Sequence, residues 1–108
     1  MTPKKLFIYL FVLILTNTIY AQINTKKLFY VDAFFVTSNE KKFEYIKEIE
    51  EYDTNKKAYS VNIYYKSGKI YLTGTTLDKD KVILDGKCLY YFENGKKKRV
   101  ANYENNKL

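Results

Sequence analysis

The sequence predicts an all-β protein, in which an antiparallel meander of β-hairpins follows an N-terminal signal helix. Three observations support this prediction. Apolar and polar residues alternate along residues 59–65, Gly-containing tight-turn motifs recur along the second half, and aromatic residues are abundant, with 12 Tyr and 7 Phe among 108 residues. Period-two alternation between turn signals is typical of half-buried strands, and aromatic residues favour them.

The N-terminal residues have the order of an export signal. Two lysines precede an apolar run over residues 6–15, and Ala21 supplies a small residue for cleavage. The run is shorter than the roughly 18 residues that a bilayer crossing requires. We therefore predict a signal peptide over residues 1–21 and a mature domain over residues 22–108 that is periplasmic or secreted. An uncleaved signal would instead anchor the protein in the inner membrane.

The composition narrows the classes of function. The chain has no His and a single Cys, Cys88, so it lacks the commonest general base and cannot form an internal disulfide or a thiolate zinc site. We expect no enzymatic activity, no cofactor and no metal, and we expect Cys88 to be buried. Without the two lysines of the signal, 17 basic residues face 12 acidic ones over 87 residues. Export makes nucleic acid an unsuitable partner for this basic domain.

The first half of the mature domain contains one clear strand pattern and one ambiguous segment. Aromatic and β-branched residues over residues 27–36 predict a strand. Residues 37–52 carry apolar residues at helical spacing in Glu- and Lys-rich surroundings, which slightly favours a helix. A strand there would place Lys47 among its apolar residues, so the residues alone leave both structures open.

Two hairpins are predicted in the second half, over residues 58–77 and residues 85–104. Ser-Gly and Asn-Gly lie between alternating strands, and Gly provides the positive φ that tight turns require. An Asp-Gly pair marks a further turn at the start of the second hairpin. The residues predicted to form these turns are Ser67, Gly68, Asp85, Gly86, Asn94 and Gly95.

The two hairpins resemble each other at an offset of 27 residues, because residues 64–69 (YYKSGK) align with residues 91–96 (YFENGK). These motifs, together with residues 85–96 (DGKCLYYFENGK), resemble the variant MORN repeat of YwqK-type antitoxin proteins. The wider region resembles the repeat-bearing part of some exported Gram-negative envelope proteins. The resemblance implies a single-layer or gently curved antiparallel sheet, and it favours a strand over a helix in residues 37–52.

A basic run follows the last predicted turn. Lys96, Lys97, Lys98 and Arg99 stand beside several aromatic residues, a combination that suits an anionic lipid surface. Strand alternation would send Lys96 and Lys98 to one face and the other two to the opposite face. Lysines on an edge strand also discourage aggregation, so the run has a structural interpretation as well.

We therefore expect an exported, non-catalytic β-repeat module that mediates protein–protein interaction in the cell envelope. Its partner would be another envelope protein or a second copy of the chain, because a sheet of hairpins leaves open edges. The alternative is a peripheral protein that binds anionic membrane lipid through the basic hairpin. A more distant alternative, implied by the family label, is an antitoxin-like protein.

Overall fold

The computed structural model describes residues 25–108, and the predicted signal peptide lies outside them. The six strands are β1 (Lys26–Val31), β2 (Tyr45–Glu50), β3 (Tyr59–Tyr65), β4 (Ile70–Thr76), β5 (Leu84–Tyr91) and β6 (Lys97–Tyr103). They form one antiparallel sheet in sequence order, which confirms the all-β class and the meander. Within residues 25–108 there is no helix with the length and apolar character that a membrane crossing requires.

Strand β1 is shorter than the predicted strand over residues 27–36. The Asp32 carboxylate accepts hydrogen bonds from the backbone N–H groups of Phe34 (2.8 Å) and Val36 (3.0 Å), and Phe35 has a φ of +65°. An Asp side chain that binds the backbone just ahead of it stabilises a turn. Strand β1 therefore ends at Val31, and the apolar residues that follow it form a turn.

The helix that local spacing slightly favoured in residues 37–52 does not form. Residues 45–50 are β2, which pairs with β1 on one side and with β3 on the other. Residues 37–44 form turns, in which the Asn39 side chain accepts hydrogen bonds from two following N–H groups. Pairing along both sides of β2 overrides the weak helical preference, as tertiary context commonly does.

One face of the sheet is buried, and it holds the core. The core residues are Ile49, Tyr59, Val61, Ile63, Leu72, Leu84, Cys88, Tyr90 and Ala101. The expected burial of Cys88 is confirmed, and this burial raises the pKa of its thiol. A buried, protonated thiol behaves as a small apolar side chain.

The loop between β4 and β5 crosses this face and is attached to the first half of the chain. The fully buried Lys47 of β2 donates from Nζ to the backbone oxygen of Asp80 at 2.9 Å. Lys79 in the same loop donates to the backbone oxygen of Tyr52 at 3.1 Å. Burial lowers the pKa of Lys47, while the carboxylates of Asp80 and Asp78 act in the opposite direction.

The β3–β4 and β5–β6 hairpins have the same turn. Tyr65 donates its N–H to the C=O of Lys69 at 2.8 Å in the first hairpin, and Phe92 donates to Lys96 at 2.9 Å in the second. The glycine before the closing lysine has a φ of +88° in one turn and +89° in the other. These residues are related by the 27-residue offset seen in the sequence.

The strand register is also the same in both hairpins. Equivalent cross-strand pairs are Val61–Gly74 and Cys88–Ala101, then Ile63–Leu72 and Tyr90–Arg99. A bulge follows at equivalent places, after Ile63 in the first hairpin and after Tyr90 in the second. The repeat is therefore present in the backbone, which supports a sheet built from related hairpins.

Candidate interaction surface

The structure separates the predicted turn residues into two groups. Ser67 and Gly68 lie in the β3–β4 turn, and Asn94 and Gly95 lie in the β5–β6 turn. Asp85 and Gly86 do not form a turn between strands, because both lie within β5.

The Asp-Gly motif nevertheless marks an irregular backbone. Gly86 has a φ of +76°, and the register between β4 and β5 shifts between Thr75–Asp85 and Thr73–Leu89. Glycine with a positive φ is a common component of a β-bulge. The motif therefore correctly predicted a positive φ at Gly86, but the prediction that it forms a turn between strands was wrong.

The predicted basic residues lie at the beginning of the last strand. Lys96 precedes β6, while Lys97, Lys98 and Arg99 are its first three residues. All four are exposed. The bulge in β6 interrupts the alternation expected from the sequence, because Arg99 pairs with Tyr90 and Lys97 with Tyr91, which leaves Lys98 unpaired in the register.

Two of these cations lie over aromatic rings. The Lys98 Nζ is 5.7 Å from the ring centroid of Phe92, and the Arg99 Cζ is 4.4 Å from that of Tyr90. Such contacts stabilise an exposed cation by about 0.5–1 kcal/mol. They hold the two charged groups next to the sheet while both remain accessible.

The Tyr90 ring under Arg99 is itself fixed by a hydrogen bond. Its hydroxyl lies 2.5 Å from the hydroxyl of Tyr103 on β6. Burial is the main cause of a raised Tyr90 pKa, and the bond to Tyr103 adds to it, whereas Arg99 opposes it. Tyr90 therefore stays protonated at neutral pH and provides a stable platform for the guanidinium group.

The positive charges of the basic run are not neutralised within the described part of the chain. The two ion pairs among residues 25–108 join Lys26 to Glu50 and Lys56 to Glu51. Neither pair involves Lys96, Lys97, Lys98 or Arg99. Since all four are exposed, the turn before β6 and the first half of β6 present uncompensated positive charge.

The two outer strands differ in how much of their free side is covered. On β1, the N–H of Ser38 donates to the C=O of Tyr30 at 2.7 Å, and Val31 forms an isolated bridge with Thr37. On β6, no such contact is found within residues 25–108. The residues after β6 turn toward β5 instead, where the N–H of Asn106 donates to the C=O of Leu84 at 2.7 Å.

A cavity of about 360 Å³ lies at the opposite end of the sheet from the β5–β6 turn. It is lined by Lys26, Glu50, Glu51 and Lys56 among others, and these four are the partners of the two ion pairs. Its charges are therefore balanced. No group of three His, Cys, Asp or Glu side chains that could hold a metal ion occurs in residues 25–108.

No family model matches the chain, and no curated protein or solved structure shows significant similarity to it. The fold defines the class as a single-sheet antiparallel meander with two equivalent hairpins. The variant MORN assignment stays a prediction from residues 64–69 and 85–96.

The aromatic partners of the basic run were not predicted from the sequence. A signal for them was present in the 27-residue offset, because it places Lys98 at the position of Tyr71 and Arg99 at the position of Leu72. Tyr71 contacts Tyr65 at 5.2 Å between ring centroids. Lys98 contacts Phe92, the equivalent of Tyr65, with its Nζ 5.7 Å from the ring centroid.

Proposed function

We propose that this protein is an exported, non-catalytic β-repeat module that binds another protein in the cell envelope. The observation that carries the proposal is the β6 edge, which pairs with β5 alone among the described residues. It bears three exposed cations, and a fourth, Lys96, directly precedes it; none of the four is in an ion pair within residues 25–108. The export-signal pattern of residues 1–21 supports the location, and the absence of His from the chain supports a non-catalytic role.

A strand edge is a specific kind of binding surface. Alternate N–H and C=O groups of an edge strand point away from the sheet and can pair with an extended segment of another chain. This pairing supplies affinity through the backbone, while side chains at alternate positions supply specificity. A small sheet with an accessible edge can therefore bind a protein without a deep pocket.

Site-specific photo-crosslinking in cells that export the protein tests this proposal. A photoreactive residue would be placed in turn at Asn102 on β6, Leu28 on β1, Ser60 on β3 and Phe34 in the first turn, which are all exposed. We expect protein adducts of discrete mass from at least one position. A variant without residues 1–21 should lose these adducts. If no position yields a protein adduct, the proposal is wrong.

A second candidate function is peripheral binding to anionic lipid, and one observation favours it. The turns after β1, β3 and β5 lie at the same end of the meander, where Phe34 is 86% exposed, Val36 60% and Phe92 47%. Lys66 and Lys96 lie in the same turns. Exposed apolar side chains beside lysines suit insertion into a headgroup region.

Vesicle flotation separates this candidate from protein binding. If lipid is the ligand, the protein should float with vesicles that contain phosphatidylglycerol and remain below with phosphatidylcholine alone. Changing Phe34→Ser together with Lys66→Gln and Lys96→Gln should abolish flotation. Equal recovery of this variant and the parent protein with the anionic vesicles would contradict the lipid function.

A further inference from the structure

We infer that β6 binds an extended acidic segment of the partner protein, which adds to the sheet as a further strand. The inference rests on the proposed function and deepens it, because it names the binding edge and the chemistry of the segment that binds there. Four features of the structure support it: the accessible edge, its unbalanced charge, the fixed positions of two cations and an exposed apolar position beside them.

The first feature is the difference in accessibility between the two edges. The backbone of Tyr30 on β1 already accepts a hydrogen bond from Ser38, and Val31 bridges to Thr37. An incoming strand could not pair with this end of β1 unless the turn moved. The seven residues of β6 have no corresponding contact on their free side within residues 25–108, so β6 is the better template.

The second feature is charge. On β1, Lys26 has an acidic partner, Glu50, at 4.0 Å, whereas the Lys27 Nζ lies 4.5 Å from the ring centroid of Tyr52. The cations of β6 have no acidic partner among the described residues. Opposite charges that face each other across neighbouring strands stabilise pairing, and like charges destabilise it.

The same charges make a second copy of this chain a poor occupant. A parallel pair of β6 strands would place cation against cation, and an antiparallel pair centred on Val100 would place the cations of each copy opposite the uncharged residues 101–103 of the other, without an acidic partner. Like charges on neighbouring strands oppose the parallel pair, which is why edge lysines hinder aggregation. An acidic segment converts this barrier into an attraction. The edge is therefore selective for the sign of the incoming charge.

The third feature is that two of the cations are positioned in advance. Arg99 lies over Tyr90, whose hydroxyl is hydrogen-bonded to Tyr103, and Lys98 lies over Phe92. Ordering a long side chain on binding costs conformational entropy. Contacts that already restrict the two side chains reduce this cost, so an acidic partner can use their charge efficiently.

The fourth feature is Val100, which is 46% exposed and pairs with Leu89 on the face opposite to Arg99. A neighbouring strand would cover this apolar position. Because successive side chains of a strand point to opposite faces, a segment that places acids next to Arg99 would place intervening residues next to Val100. We expect the segment to alternate acidic and β-branched residues.

A peptide-binding experiment tests the inference. The probe is a fluorescent peptide of alternating Glu and Val that spans β6, and fluorescence anisotropy measures its binding at low salt. We expect saturable binding that weakens as salt increases, because exposed charges are screened. A peptide of alternating Lys and Val should not bind. Two further Glu-Val peptides carry N-methyl groups on alternate amides, one at the odd and one at the even positions. Only every second amide of an added strand can pair with β6, so one of these two peptides should lose about tenfold or more in affinity.

Charge-reversal variants locate the site. Lys98→Glu with Arg99→Glu should weaken binding of the Glu-Val peptide by about tenfold or more, because these are the two cations held over aromatic rings. The matched control is Lys57→Glu with Lys81→Glu, which changes the same charge at two exposed positions in loops at the other end of the sheet. This control should change the affinity by less than about threefold. Circular dichroism establishes that each variant keeps its sheet.

Several outcomes would overturn the inference. The inference fails if the Glu-Val peptide does not bind, or if both N-methylated peptides bind with the same affinity as the unmethylated one. It also fails if the two charge-reversal variants lose the same amount of affinity for the peptide. Flotation with anionic vesicles without peptide binding would favour the lipid function instead. If the inference fails while photo-crosslinks appear at another position, the proposed protein-binding function still holds. If no position crosslinks to protein, the proposed function fails independently of the peptide result.

Discussion

The β3–β4 and β5–β6 hairpins have the same backbone and different surroundings. Their turns, registers and bulges coincide at an offset of 27 residues. In the first hairpin, Tyr71 is the extra residue of the bulge and Leu72 follows it, and Leu72 is completely buried. In the second, Lys98 and Arg99 hold the same positions and are exposed. One backbone framework therefore supports a core in one place and a charged edge in the other.

The difference follows from the neighbours of each hairpin. Strand β4 has β3 on one side and β5 on the other, whereas β6 has a neighbour on one side among the described residues. A residue of β4 is therefore enclosed by side chains of two strands, and its equivalent in β6 by side chains of one. Apolar residues are stabilised in the first setting, and charged residues are tolerated in the second.

The largest expected effect comes from truncating the two equivalent side chains. Leu72→Ala should lower the free energy of unfolding by about 2–4 kcal/mol, because it leaves a cavity in the core. Arg99→Ala should lower it by less than about 1 kcal/mol, because an exposed side chain is removed. Urea unfolding of both variants measures the difference. Equal losses would contradict the assignment of Arg99 to an exposed edge.

The next effect concerns Cys88, which lies between Gly74 on β4 and Ala101 on β6, two further positions related by the 27-residue offset. Ala101 pairs with Cys88 from β6, and a Cβ atom at Gly74 of β4 would lie 2.5 Å from the Cys88 Sγ. Gly74→Ala should therefore destabilise the fold by about 1–3 kcal/mol through overpacking. Adding Cys88→Ala should restore part of this loss in a double-mutant cycle. Strictly additive losses would show that the two residues are not in contact.

The turn glycines should give smaller effects that are equal to each other. Gly68 and Gly95 both have positive φ, and a Cβ atom added at either would have no neighbouring atom within 4 Å, so Ala would meet backbone strain and no steric clash. Each Gly→Ala substitution should cost about 1–2 kcal/mol. Thermal unfolding of the two variants tests the equality. A much smaller cost at one position would mean that the two turns differ.

The smallest expected effect is on the pH dependence of stability, and it concerns one of the two cations, Lys47 and Arg99, that lie in the same cross-strand row. Lys47, Ile63, Leu72, Tyr90 and Arg99 follow one another across the sheet, but of the two cations only Lys47 is buried. Burial lowers its pKa in the folded state. Between that lowered pKa and 10.5 the unfolded chain binds more protons, so this group makes the free energy of unfolding rise with pH.

The Lys47→Met variant measures this contribution. Relative to the parent protein, it should lack the rise in stability as pH approaches 10.5 from below. Chemical unfolding at several pH values from neutral upward gives the two profiles. The idea fails if the parent protein and Lys47→Met have parallel profiles.

The strands and turns with the clearest local patterns could be predicted from the sequence. Alternation along β3 and the Ser-Gly and Asn-Gly turns indicated both hairpins, because local backbone preferences and one-sided burial act together there. The predicted strand over residues 27–36 was too long, since composition does not show that the Asp32 carboxylate will stabilise a turn. The burial of Lys47 depends on a loop that arrives from residues 77–83, which no local pattern contains.

The candidate surface was only partly predictable for the same reason. The basic run from Lys96 to Arg99 is visible in the sequence, but its expected division between two faces assumed regular alternation. The bulge after Tyr90 changes that alternation. Its position could have been inferred only by comparison with the first hairpin. The uncovered side of β6 depends on the residues after it folding toward β5, which is a property of the tertiary structure.

Residue-resolved amide hydrogen exchange of β4 and β6 tests the central comparison most directly. Since β4 is paired on both sides, we expect slow exchange along its whole length. In β6, amides that donate to β5 should exchange slowly, and the amides between them should exchange rapidly. This alternation would establish β6 as an accessible edge on the same framework. Uniformly slow exchange along β6, equal to that of β4, would contradict the account.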